Sequence, residues 1–282
     1  MSNAPAVKSP IIYWFRQDLR LHDLPGLSAA VATGRPVLAC YILDDQSPAD
    51  WRPGGASRWW LHHSLSRLAA DIEERGGQLM LARGAPATVL AQLAEDTGAD
   101  LIFCSRQYEP WARQLEDELF ASLTEQGVTL KRFSGSLLWE PDSIKNLAGL
   151  PFKVFTPFWR KCRQLSVALE SPPAVRLGKW PETPQPKDHL GDWALLPCDP
   201  NWANSWEDRW QPGERGALDK LGQFLRGAVS DYDKGRNFPA RNATSGLSPH
   251  LHFGEISPAR VFRAAQQAGT ANPTVENETE KF

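Results

Sequence analysis

The densest set of chemically useful residues lies between Tyr232 and Pro258. Tyr232-Asp233-Lys234-Gly235-Arg236-Asn237-Phe238-Pro239 is a basic loop with aromatic residues, and Thr244-Ser245-Gly246-Leu247-Ser248-Pro249 follows it. Three hydroxyls within five residues stand ahead of an apolar helical run, and Ser248 with Pro249 reads as an N-cap followed by proline in the first turn. A helix start with hydroxyls and unpaired backbone N–H groups suits a phosphate. A lone Ser-Pro is ordinarily a cap and nothing more. Here the number of hydroxyls, and the tyrosine in a basic loop twelve residues earlier, favour a bound phosphate. His250 and His252 are two apart, project from different sides of a helix and cannot share a metal ion. A second polar stretch, Arg16-Gln17-Asp18-Leu19-Arg20-Leu21-His22-Asp23, follows an apolar run directly. It reads most simply as an ion-paired loop, with Arg16 and Arg20 set against Asp18 and Asp23.

The elements that must position these residues are legible from periodicity. Residues 11–15 are apolar throughout, too short for a helix and β-rich, so they read as a buried strand. Helical spacing predicts segments at 24–33, 57–75, 86–97 and 110–125; further strands are predicted at 36–43, 78–82, 100–105 and 128–133. Strands alternating with helices imply parallel pairing through right-handed crossovers. Runs without polar alternation imply burial on both faces. The expectation is a doubly wound α/β domain with a five-stranded parallel sheet over residues 1–134. Ligands in such sheets sit beyond the carboxyl ends of the strands. Neither GxGxxG after the first strand nor GxxxxGK[ST] occurs, so neither glycine-rich phosphate loop is present.

Residues 135–212 read as a connector. Between 171 and 212 there are eight prolines, a density that forbids regular helix or sheet, and five tryptophans that would pin the segment to its neighbours. Helical pattern is expected over 155–169 and returns over 213–231 and 247–268, and residues 213–282 form a separate helical segment. Residues 213–264 carry eight basic against five acidic side chains, whereas the whole chain of 282 residues has a net charge of −2. That local excess is modest and by itself describes a solvated helix face as readily as a polyanion site. No run approaches the roughly 18 apolar residues of a membrane span, and the N-terminus lacks the pattern of a secretory signal. The four cysteines are widely spaced, which fits a reducing compartment better than a disulfide framework or a zinc site.

The motif Trp14-Phe15-Arg16-Gln17-Asp18-Leu19-Arg20-Leu21-His22-Asp23, the stretch Lys153-Val154-Phe155-Thr156-Pro157-Phe158 and the Tyr232-to-Pro258 block together resemble the DNA photolyase/cryptochrome family, in its order and spacing. The likeness runs from about residue 11 to the end and is nearest to bacterial cyclobutane pyrimidine dimer photolyases. It implies an α/β antenna domain, a connector and the start of an all-helical FAD-binding domain. It also implies light-driven electron transfer from reduced FAD to a pyrimidine dimer flipped out of UV-damaged DNA, with the dimer split to monomers. Carried over by position, Tyr232, Thr244, Ser245, Gly246, Leu247 and Ser248 hold FAD, and Arg236 lies near the DNA backbone. An Arg236–Asp233 surface pair is the plainer alternative for that arginine.

Two departures qualify the likeness. Folate-antenna members place an Asn-Glu pair where Tyr108-Glu109-Pro110-Trp111-Ala112 has Trp111 and Ala112. The second chromophore, methenyltetrahydrofolate or a deazaflavin, therefore stays undecided, with Glu109 and Trp111 as candidate contacts and Trp111 equally a core aromatic. The chain also stops at Phe282, before the family's flavin-ring pocket and its electron-conducting tryptophans, so no catalytic residue and no metal ligand is assigned here. The expectation is a cytoplasmic monomer of a repair enzyme. A cryptochrome-like blue-light receptor and a non-catalytic chromophore-binding fragment are the alternatives.

Overall fold

The computed structural model describes residues 8–165, 167, 177–181 and 188–282. Five parallel strands, β1 (Ile11–Phe15), β2 (Val37–Leu43), β3 (Leu79–Arg83), β4 (Leu101–Ser105) and β5 (Thr129–Phe133), form one sheet in the order β3-β2-β1-β4-β5. Helices α1 (Pro25–Ala32), α2 (Gly55–Glu74), α3 (Pro86–Thr97) and α4 (Pro110–Glu125) make the crossovers. The expected doubly wound α/β sheet is what the chain forms.

Every residue of β1 is buried, because the sheet is covered on both faces. Ile11, Tyr13 and Phe15 point into one core with Leu27 of α1 and Trp59, Trp60 and Leu65 of α2. Ile12 and Trp14 point into the other, with Leu90 and Leu93 of α3 and Leu119 and Leu123 of α4. Strand order reverses beside β1, between its two neighbours β2 and β4, so the carboxyl end of β1 opens on the crevice where such folds bind ligands.

The tryptophans of the connector pack back onto this domain. The Trp180 indole N–H donates to the Ala39 carbonyl at 2.9 Å, and Trp193, Leu195 and Ala203 lie in the α2-side core. Trp202, Trp206 and Trp59 stack edge to face in succession, with ring centres 5.1 and 5.3 Å apart. Large aromatic area fixed by few rotatable bonds gives order without regular secondary structure.

Beyond the connector the described elements are helical. Helix α5 (Phe155–Cys162) stands in its early part; the later segment comprises α6 (Glu214–Arg226), the turn α7 (Tyr232–Gly235), α8 (Ser248–His252), α9 (Pro258–Ala271) and α10 (Glu276–Lys281). Helix expected to residue 169 ends at Cys162, and residues 166, 168 and 169 lie outside those described. Helix expected to 231 ends at Arg226, followed by a 3-10 turn over Ala228–Asp231. The single helix expected over 247–268 is two. Gly254 breaks it in a left-handed conformation, φ +66°, and Ser257 restarts it, its hydroxyl accepting from Arg260 N–H at 3.0 Å. Among the described residues no helix is long and apolar enough to cross a membrane.

Candidate functional site

The basic turn at Tyr232 and the hydroxyl loop are brought together by a glycine. A Cβ on Gly235 would stand 2.5 Å from the Ala243 methyl, so only a bare backbone lets the turn approach the chain entering Thr244 this closely. The Tyr232 ring meets Phe224 of α6 and Phe282 edge-on, with centres 5.6 and 5.4 Å away, and the Arg236 guanidinium lies 5.4 Å from its centre. Arg236 is exposed; it donates to Asp233 at 3.4 Å, the surface pair of the plainer reading, and to the Lys281 carbonyl at 3.4 Å.

Leu247 is buried with Ala217, Leu221 and Ile256 and anchors the loop, leaving Thr244 and Ser248 exposed on either side of it. The Ser245 hydroxyl accepts from Leu247 N–H at 3.3 Å, and Gly246 turns the chain at φ +64°. One expectation is corrected: Leu247, not Ser248, occupies the N-cap of α8, and no side chain caps that helix. Ser248 sits one residue further in, which leaves its hydroxyl outside the capping geometry.

A buried carboxylate ties α8 to the α/β domain. Glu255 is fully buried and accepts from the Trp60 indole N–H at 2.9 Å, from the Ser64 hydroxyl and from His250 Nδ1 at 2.5 Å. Three donors on one carboxylate offset much of the cost of burying its charge. His250 is thus a buried partner of Glu255, while His252 is exposed. Among the described residues no group of three or more His, Cys, Asp or Glu side chains is placed to hold a metal ion.

The polar stretch after β1 is a clamp between the two parts, and its expected internal ion pairs are absent. Arg20, 1% exposed, donates to the carbonyls of His22 (3.0 Å), Gly254 (2.9 Å), Asp23 (2.8 Å) and Gly135 (3.0 Å). Burial works against its charge and lowers its pKa. Asp18 instead accepts from the Tyr13 hydroxyl at 2.9 Å and the Ser105 hydroxyl at 2.7 Å, and burial followed by the Asp18 charge pushes the Tyr13 pKa well up. Asp23 pairs with Arg260 of α9 at 2.5 Å, and Glu214 of α6 accepts from Leu21 N–H and contacts His22 Nδ1 at 2.8 Å.

At the carboxyl end of the sheet Arg16 pairs with buried Glu116 at 2.7 Å, which also holds Arg132 at 2.8 Å. Arg16 Nε and Nη1 and the Trp14 indole N–H are buried without a partner among the described residues. Glu109 is exposed at the N-cap position of α4, its carboxylate accepting from Tyr108 N–H at 3.1 Å, and Trp111 is half-buried in the first turn. Tyr108 donates to Glu140 at 2.7 Å, and burial together with that carboxylate raises its pKa. Sequence reasoning missed Glu116, although an acidic residue beside Ala112, Leu115 and Leu119 on the apolar face of α4 was a legible signal. It missed Glu255 because nothing local marks that residue as buried.

Fold and site together define a doubly wound α/β domain clamped to a helical segment in which a tyrosine-bearing turn packs on the entry to a hydroxyl- and glycine-bearing loop. The chain belongs to the DNA photolyase family, whose model matches residues 11–177. It is 42% identical over 278 residues to the deoxyribodipyrimidine photo-lyase of Agrobacterium fabrum, an alignment spanning 97% of this chain and 56% of that protein. It is 34% identical over 262 residues to cryptochrome-1 of Arabidopsis thaliana, covering 89% of this chain and 37% of the relative. A bacterial class III photolyase from Agrobacterium tumefaciens superimposes with a TM-score of 0.88 at 41% identity, over 99% of this chain and 58% of that structure. The chain thus spans little more than half the length of the photolyases it matches.

Proposed function

We propose that this chain forms the antenna domain (residues 1–134), the connector (135–212) and the first helices of the FAD-binding domain (213–282) of a light-driven DNA-repair flavoprotein. When bound, reduced FAD would supply a photoexcited electron that splits a cyclobutane pyrimidine dimer flipped out of UV-damaged DNA. The residues present fit the diphosphate end of that cofactor. Thr244 and Ser248 are exposed on one loop, and Gly246, half-buried against the Lys220 stem, turns the chain between them at φ +64°. Ser245 and Leu247 set the loop's conformation through their mutual hydrogen bond and the burial of Leu247. Tyr232 would flank the phosphate–ribose region.

The observation that supports the reading is the Gly235–Ala243 approach, which packs the Tyr232–Gly235 turn against the residue just before Thr244. Arg236, exposed and basic, is assigned to the DNA backbone. Glu109 and Trp111, at the carboxyl end of β4, are assigned to a second chromophore, either methenyltetrahydrofolate or a deazaflavin. No residue of this chain is assigned to electron transfer itself. Free cysteines at Cys40, Cys104, Cys162 and Cys198 accord with a cytoplasmic protein, and we assign it as a monomer.

The test is to purify the chain, record its absorbance between about 350 and 500 nm, and measure dimer reversal under blue light. Bound flavin with light-dependent loss of dimers supports repair. Bound flavin without repair favours the receptor reading, which the similarity to cryptochrome-1 accommodates, or a chromophore-binding fragment. Absence of bound flavin after incubation with FAD contradicts the cofactor assignment.

A further inference from the structure

The hydroxyl loop has a cationic neighbour that its sequence does not announce. Lys220, on α6, packs flat against Gly246: a Cβ there would stand 2.8 Å from Lys220 Cε and 3.7 Å from its Nζ. Any side chain at position 246 would therefore displace the lysine, so the glycine serves both the left-handed turn and the approach of this one cation. The ammonium lies 5.7 Å from the centre of the Trp210 ring, a cation–π distance. Trp210 packs edge-on against Trp60, with centres 5.5 Å apart, and Trp60 is fixed by its hydrogen bond to buried Glu255. Among the described residues the arginines and lysines of this segment that enter ion pairs are Arg236, Arg241 and Arg260, and Lys220 is not one of them. A lysine stem normally ranges through many rotamers, whereas this one is lodged between an indole and the loop with its charge unspent on a carboxylate.

We infer that Lys220 is a further anchoring residue of the cradle, supplying the positive charge for the diphosphate of an adenine dinucleotide while Thr244, Ser245 and Ser248 supply hydroxyls. This rests on the cofactor assignment above. A diphosphate brings negative charge that hydroxyl and amide donors bind but do not neutralise, and a lysine acts toward phosphate as a point charge. Trp210 sets where that charge stands, and the route from Glu255 through Trp60 to Trp210 makes the α/β domain the support for it.

The experiment is calorimetric titration of the 282-residue chain with ADP, FAD and adenosine at about 50 and about 200 mM salt, comparing wild type, Lys220→Gln and Lys220→Arg. The expected result is ADP and FAD affinity about tenfold weaker in Lys220→Gln, a flatter salt dependence, unchanged adenosine affinity, and recovery of most of the loss in Lys220→Arg. Equal ADP affinity and salt dependence in wild type and Lys220→Gln would overturn the Lys220 assignment and leave the cradle standing. Equal weakening toward ADP and adenosine would also overturn it, by showing a structural role. A wild type that binds neither ADP nor FAD would overturn the cradle itself, and the lysine's role with it.

Discussion

Gly254→Ala measures how the two parts of the molecule are joined. Gly254 sits at φ +66°, where an L-residue pays about 1 kcal/mol or slightly more. An added Cβ would overlap the Gln17 carbonyl oxygen and come within 2.5 Å of Asp18 Cα. Both are backbone atoms in the stretch that Arg20 and Leu19 hydrogen-bond to Gly254 and Phe253, so neither can swing aside. Overfilling a packed site costs a further 1–3 kcal/mol or so, giving about 3 kcal/mol in total. Gly98 is the matched control: its φ is +67°, yet nothing lies within 4 Å of its would-be Cβ, so Gly98→Ala should cost only the conformational part. At about 3 °C of Tm per kcal/mol for a chain of this size, thermal unfolding followed by circular dichroism should fall by about 3 °C in Gly98→Ala and about 9 °C in Gly254→Ala. Equal shifts for the two variants would refute the close approach of the 253–255 segment to the loop after β1.

Glu255→Leu should leave the Trp60 N–H, the Ser64 hydroxyl and His250 buried without their acceptor, at a cost of about 3 kcal/mol or more; urea unfolding monitored by tryptophan fluorescence reads it, and a midpoint within error of wild type would contradict the network. His62 and His63 have lowered pKa values, in each case chiefly from burial, with the neighbouring His63 charge adding to the effect at His62 and Arg67 at His63. The unfolded chain therefore binds more protons than the folded one near pH 6, so stability should fall as pH drops through the ordinary histidine value of about 6.5. Urea midpoints at neutral and mildly acidic pH should show that fall, and in His62→Gln/His63→Gln it should be smaller; an undiminished fall would exclude these two residues as its source.

The α/β half was legible because its signals are local. Helices α3 and α4 begin at Pro86 and Pro110, each a proline in the first turn, and end where the sequence marks a stop. An apolar run such as Ile11–Phe15 can only be a doubly covered strand. The helical segment was less legible because its breaks are set by contacts at long range. Gly254 divides one periodic stretch in two because the loop after β1 presses on it. Likewise, the side-chain charges at 16, 18, 20 and 23 suggest ion pairs with one another, yet they meet instead Glu116, the Tyr13 hydroxyl, backbone carbonyls including those of Gly135 and Gly254, and Arg260. The hydroxyl loop was visible as a motif, but the lysine beside it stands on another helix and no spacing rule connects them.

The central claim is that the Tyr232 turn and the Thr244–Ser248 loop hold a flavin dinucleotide, and the most direct measurement is FAD retained after equilibrium dialysis by wild type and by Thr244→Ala/Ser248→Ala. Both side chains are exposed, so the double variant should keep the wild-type unfolding midpoint. Loss of two hydroxyl contacts should weaken FAD by about tenfold or more. Equal FAD occupancy in the two proteins would contradict the account.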